Sequence, residues 1–232
     1  MTILSVVQNV CLAVGIEYPD AVFSSDDRTM REMQRVVNDV AASIRDVEFD
    51  WQALQAIYLV TGDGAAGAFN LPSDYARMTT KGSLWSSRWS WGINKIASLD
   101  EWIEMQATPY VSVTGDWIIF GDQLHVMPIM AATETIRFPY VRNTIVRQAG
   151  GARATAFTAD TDTFVLSERL LELGIIAKWK AQKGVPSEDL QEDFDKALYT
   201  AMNNDKGSKP IVSGNNRRFS DVKTAFPFKV NP

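Results

Sequence analysis

The chain has 232 residues, 46% of them hydrophobic and 22% charged, enough for one large domain that buries roughly 70–75% of its unfolded surface. Glycine (14) and proline (9) are ordinary in number and charge is neither sparse nor extreme, which excludes collagen-like, low-complexity and globally disordered chains. The net charge of −5 argues against wrapping nucleic acid with the whole surface; residues 206–232 hold Lys206, Lys209, Arg217, Arg218, Lys223 and Lys229 against Asp221, or +5, which leaves −10 for the rest.

In chain order, residues 3–14 read as a short apolar helix that ends at Gly15, with Pro19 preventing continuation. Ser24, Ser25 and Asp26 offer caps for a long helix over about 26–47. Its Met30, Met33, Val37, Val40, Ile44 and Val47 form one apolar seam at helical spacing. Beyond Trp51 the period changes to two. Residues 55–61 and 68–71 read as strands joined by Gly62-Asp63-Gly64-Ala65-Ala66-Gly67, and Pro72-Ser73-Asp74 forces a turn. Short strands follow over 76–86 and 92–97. Ser98-Leu99-Asp100-Glu101 is a capping box that opens a helix over 99–106.

Trp117–Phe120 and Leu124–Met127 flank Gly121-Asp122-Gln123 as a hairpin with a three-residue turn. Residues 133–141 supply another strand, in which Thr135, Arg137 and Pro139 alternate with Ile136, Phe138 and Tyr140. Residues 148–162 are small and polar and read as a loop. Leu166, Leu170, Leu173, Ala177 and Lys180 line the next helix, broadened by Ile176 and Trp179 and closed at Gly184. A last helix starts at Pro186-Ser187-Glu188-Asp189, with Leu190, Phe194, Ala197, Leu198 and Ala201 on its buried side and its period lost beyond Asn203. The fold class expected is α+β: N- and C-terminal helices packed as a helical body, an inserted antiparallel β-rich region, and an extended C-terminal arm. The boundaries are 1–53, 54–147, 148–205 and 206–232.

Chemistry is excluded more readily than it is found. The single cysteine, Cys11, lies in the apolar run Val10-Cys11-Leu12-Ala13-Val14 and reads as a buried hydrophobe, with no intramolecular disulfide possible. The single histidine, His125, has no Cys or His neighbour, which argues against zinc sites and histidine triads. Gly62-Asp63-Gly64 lacks the Lys-Ser/Thr of a phosphate loop, and Asp160-Thr161-Asp162 lacks the rest of a calcium loop, so a loop-and-cap role is favoured. No catalytic, cofactor or metal site is assigned, and no enzyme is expected. No signal-peptide pattern is present and no eighteen apolar residues run together, so neither secretion nor a membrane partner is expected.

Two features point to partners instead. Trp85, Trp89 and Trp91 cluster within Leu84–Trp91 and read as interface aromatics, with stacking on a ligand as the other use of such a cluster. The basic arm carries Arg217, Arg218, Phe219, Phe226 and Phe228, aromatics that have no core of their own to enter.

The order of these pieces resembles the head–tail adaptor (connector) proteins of tailed bacteriophages over about residues 3–200. The resemblance rests on Val14-Gly15-Ile16 closing a short helix, on Trp51 just past a long one, and on Phe69-Asn70-Leu71-Pro72-Ser73-Asp74-Tyr75, which is similar to an aromatic-x-Leu-Pro-x-Asp-aromatic signature. Ser98–Trp102, Trp117–Pro128, Phe138-Pro139-Tyr140 and Leu170–Lys180 follow in the family's order.

The resemblance implies a structural virion protein made in the bacterial host cytoplasm. It would form a homo-oligomeric ring of twelve copies beneath the portal protein, above a tail or nozzle protein. Phage DNA would pass through without sequence-specific binding. On this expectation Arg217, Arg218, Phe219, Phe226 and Phe228 dock the arm on the portal or a neighbouring copy, and no cofactor is needed. The competing reading is a glycan-binding or cell-wall hydrolase component of a phage tail.

Overall fold

The computed structural model describes residues 1–80, 82–89, 92–107 and 115–206. In chain order the elements begin with α1 (Ile3–Val14), α2 (Arg28–Asp46), β1 (Gln55–Thr61), β2 (Ala68–Asn70), β3 (Tyr75–Met78), β4 (Leu84–Ser86), β5 (Gly92–Lys95) and α3 (Leu99–Ala107). They continue with β6 (Asp116–Phe120), β7 (Gln123–Met127), β8 (Thr135–Arg142), β9 (Val146–Arg147), β10 (Arg153–Ala154), β11 (Thr163–Phe164), α4 (Glu168–Gln182) and α5 (Glu188–Lys206). Among the described residues they form two compact units, one of residues 1–54 with 142–206, the other of residues 55–141.

The expected fold class is overturned. Among the described residues the chain is mixed α/β, and its largest element is a nearly closed, barrel-like sheet of eight strands, with five helices as the lesser part. Nor is the sheet purely antiparallel, because β5 and β6 pair in parallel. The physical reason lies in strand length. Most strands here have three to five residues, so each looks like a satellite when read locally. The sheet exists only through long-range pairing such as Gln55 with Val141.

In the first unit, α1 closes at Gly15 in the left-handed region (φ 75°), with Ile16 N–H donating to the Cys11 carbonyl at 2.9 Å. The N-cap of α2 is Asp27, one residue beyond the expected caps, and its carboxylate accepts from the N–H groups of Thr29 (3.1 Å) and Met30 (3.3 Å). Asp26 turns instead to Arg31 at 2.6 Å. The buried stripe of α2 is wider than the seam read from spacing, adding Val36 and Ala41, while Val47 is only half-buried.

In α4 the buried side includes Leu171, Gly174 and Ile175, whereas Leu173 and Ile176 are half-buried. Helix α5 runs to Lys206 and none of its residues is fully buried; Leu190, Phe194, Ala197, Leu198 and Ala201 are half-buried. The expected 148–162 loop contains part of a second, three-stranded sheet in the order β10-β9-β11. Two-residue strands carry too little periodicity to be read from sequence.

Asp160 and Asp162 stitch this unit together. Asp160 Oδ1 accepts from the N–H groups of Val22 (3.0 Å) and Phe23 (2.9 Å). Asp162, 1% exposed, accepts through Oδ2 from Thr158 N–H (2.9 Å) and Ala159 N–H (3.0 Å). Their backbone carbonyls accept from Leu4 N–H and Ile3 N–H, so the same loop satisfies donors in the first turn of α1.

The second unit is the eight-stranded sheet, in the order β1-β8-β4-β5-β6-β7-β2, with β3 also on β8. The end strands are linked by the Tyr58 hydroxyl of β1, which donates to the Asn70 carbonyl of β2. Inside lie Val60, Leu84, Trp117, Leu124, Ile136 and Phe138. Trp117 Nε1–H donates to the Ile93 carbonyl at 3.1 Å, so the largest core side chain leaves no orphan donor. A smaller cluster of Ile96, Trp102 and Ile118 includes Trp102 of α3.

The Leu71–Tyr75 motif is a turn, with Tyr75 N–H donating to the Pro72 carbonyl at 2.9 Å, and Asp74 accepts from the Tyr140 hydroxyl at 2.8 Å. The hairpin turn is shorter than expected. Gln123 pairs with Phe120, leaving only Gly121 (φ 57°) and Asp122 (φ 59°), the two positive-φ residues of a type I′ turn.

Gly174 marks the tightest helix approach in the first unit: a Cβ there would lie 2.6 Å from Val40 Cγ1 and 2.9 Å from the Phe194 ring. Overpacking costs about 1–3 kcal/mol and the gain in helix propensity is about 1 kcal/mol. Gly174→Ala is therefore expected to lose about 1 kcal/mol net, read as a lower urea midpoint; a raised midpoint would show that the helices have room there.

Candidate interaction face

The surface chemistry of the β unit follows from the alternation of β8. Ile136, Phe138 and Tyr140 are buried, and Thr135, Arg137 and Pro139 face outward. Strand β1 is in register with it, Leu59 opposite Arg137 and Ile57 opposite Pro139. On the other edge Trp85 of β4 also lies opposite Arg137. One row therefore crosses three strands as Leu59–Arg137–Trp85, with Ile57 in the next row. Ile57 is 73% exposed, Leu59 52% and Trp85 51%. An apolar group of this size around one cation is the composition of a protein-binding patch.

A cleft of about 330 Å³ adjoins this face, lined by Trp85, Ser86, Ser87, Thr135 and Arg137. Its floor is satisfied internally. The Ser86 hydroxyl donates to Glu134, whose other carboxylate oxygen accepts from Ala131 N–H at 2.9 Å. One oxygen of this buried acid therefore holds the 131–134 turn and the other is bonded to Ser86 of β4.

The acids singled out from sequence do structural work. Asp160 and Asp162 take the loop and capping roles described above. Asp63 accepts from Ala65 N–H (2.9 Å) and Ala66 N–H (2.7 Å), and these bonds hold its carboxyl below the usual range. Just beyond Gly62-Asp63-Gly64, the Ala65 and Ala66 N–H groups that a phosphate would need are thus already bonded. No group of three or more His, Cys, Asp or Glu side chains is placed to hold a metal among the described residues.

The tryptophan cluster is divided. Trp85 is exposed, but Trp89 is only 7% exposed, with the Arg88 guanidinium 4.8 Å from its ring centroid; Trp91 lies outside the described residues. The arm residues Arg217, Arg218, Phe219, Phe226 and Phe228 also lie outside the described residues. Cys11 is fully buried, and burial pushes its thiol up.

Sequence reading missed Ile57 and Leu59 as surface residues. The available signal was that residues 55–61 are apolar in both phases of the strand, Ala56, Tyr58 and Val60 on one side and Ile57 and Leu59 on the other. A strand with one wet face alternates. Arg137 was visible only as a polar step in β8.

His125 stacks on Phe120, centroids 3.8 Å apart and ring planes nearly parallel, with Trp102 edge-on at 6.3 Å. Burial lowers its pKa, outweighing a backbone hydrogen bond at Phe120 that raises it. A histidine held neutral in the fold binds fewer protons than in the unfolded chain. Its contribution to stability is therefore complete above the unfolded value near 6.5 and is lost as pH falls below that value through the folded one. His125→Phe is expected to flatten the decline in urea midpoint between pH 6.5 and 5; an unchanged slope would remove His125 from the pH response. Compared with known proteins, the chain matches no family model and no curated protein.

Proposed function

We propose that this chain is a non-enzymatic assembly subunit, a head–tail adaptor of a tailed bacteriophage that forms a ring of copies between the portal and the tail. The observation that carries the reading is the outer face of Ile57, Leu59 and Trp85 around Arg137. Burying one such side chain is worth about 1.5–3 kcal/mol, so this face favours an assembled state over an isolated chain. The commitment of Glu134 and Asp162 to turns and caps supports a structural role over a catalytic one. In the ring, the acidic excess of the body disfavours DNA sticking to the passage.

The test is native mass, alone and mixed with portal protein. A multi-copy ring is expected in at least one condition. Ile57→Glu with Leu59→Lys should weaken association at least tenfold while leaving the circular dichroism spectrum unchanged. A chain that stays monomeric in both conditions would sink the proposal. One observation favours a second reading, because Trp85 stands exposed beside a cleft rich in hydroxyl groups. Such a site suits sugar stacking. Glycan binding abolished by Trp85→Ala, in a chain that forms no ring, would establish that reading instead.

A further inference from the structure

The outer face of the β unit carries an unanswered charge. Along the outward phase of β1 and β8, the odd-numbered residues 55–61 and 135–139, Arg137 is the only charged side chain. Among the described residues no carboxylate or carbonyl is bonded to its guanidinium. Arg137 stands opposite Leu59 on one side and Trp85 on the other, so a partner that buries those two covers it as well. A guanidinium taken out of water with no acid beside it is strongly destabilising. Whatever docks on this face must therefore bring a carboxylate, which the planar guanidinium fork binds through two parallel hydrogen bonds.

The chain carries such a surface in its helical unit. Between α4 and α5 the turn is fixed by its own backbone. Gly184 (φ 71°) donates to the Ala181 carbonyl at 3.1 Å, and Val185 donates to the Lys180 carbonyl at 3.0 Å. A cleft of about 420 Å³ opens there, lined by Lys180, Pro186, Ser187, Glu188, Asp189 and Leu190. Val185, next to it in the chain, is 48% exposed. Glu188 and Asp189 are exposed, and among the described residues neither side chain makes a hydrogen bond or ion pair. Their place in the first turn stabilises α5 through the macrodipole and leaves their oxygens open. Lys180 lines the same cleft, where the two acids outnumber it.

We infer that the β-unit face of one copy docks on the start of α5 of the next, with Arg137 paired to Glu188 or Asp189 and the apolar residues of the face against Val185, Pro186 and Leu190. This contact rests on the assembly role proposed above and supplies its geometry. The two patches are unlike, so the contact is head-to-tail, the type that closes into a ring or runs on as a filament. The face cannot serve as its own partner at equal cost, because a two-fold contact would bury two guanidinium groups with no acid between them. Apolar burial supplies the affinity, and the ion pair sets direction and register.

The test uses full-length chains, half of them isotopically heavy, carrying Arg137→Lys and treated with a carbodiimide. This reagent joins an amine to a carboxylate only where they touch. An amide between position 137 of one chain and Glu188 or Asp189 of another is expected, read as a mixed heavy–light peptide. A link confined to single chains, a link to other carboxylates, or no link at position 137 would each overturn the inference.

Association gives a second readout. Arg137→Glu, and separately Glu188→Lys with Asp189→Lys, should each weaken self-association at least about tenfold with the circular dichroism spectrum unchanged. Mixed together, these two variants should form a two-chain complex, since each retains the half that the other lacks. Self-association of the α5 variant at the original strength would also overturn the inference. The outcome separates from that of the ring. A ring that forms without the 137–α5 link refutes only this contact, and linked chains that never close with portal protein refute only the ring.

Discussion

The β unit depends on the two-edged hydrogen bonding of β8. Its even-numbered residues bond to β1 and bury Ile136, Phe138 and Tyr140, while Thr135, Arg137 and Pro139 lie on the edge toward β4 and β3 and point side chains outward. Pro139 falls in the odd phase, where it accepts from Thr79 N–H and has no N–H of its own to leave unpaired. The β4 pairing covers only Ile136 and Arg137, so at Pro139 that edge passes to β3. One strand thereby determines which residues form the core, where the neighbouring strands break, and which residues share the outer face.

The helical unit is held by a different device. Its helices leave unpaired N–H groups at their starts, and a short acidic loop supplies acceptors for several of them. Asp160 and Asp162 use carboxylates on nearby loops and carbonyls on α1. Asn38 of α2 closes the same loop by exchanging bonds with Phe157, accepting from its N–H at 2.8 Å and donating to its carbonyl at 3.3 Å. Polar residues that suggested ion binding by composition each commit one carboxylate oxygen to two backbone N–H groups, which stabilises the fold.

The two units present different surfaces. On α5 the acids Glu188, Asp189, Glu192, Asp193 and Asp195 are exposed, with Glu192 paired to Lys196 at 2.7 Å, a solvated helix face. The β unit instead shows Ile57, Leu59 and Trp85 around Arg137. Solvated charge costs little to leave in water, whereas exposed apolar area on an edge strand favours association. The proposed assembly role therefore rests on the sheet rather than on the charge of the body.

Local rules determined a good deal of this protein. Helix α1 and strand β1 lie where period and end signals placed them, and the Ser98 hydroxyl accepts from Glu101 N–H at 3.2 Å as a capping box requires. Those features depend on residues within a few positions of one another. What only the tertiary structure decided was the dominance of the sheet, the type I′ turn at Gly121-Asp122, the separation of Trp85 from Trp89, and the exposure of Ile57 and Leu59. Each of these is a matter of pairing. A strand that is apolar in both phases reads as buried until its neighbours are known, and here β8 covers only one edge of β1 while the core covers only one of its faces.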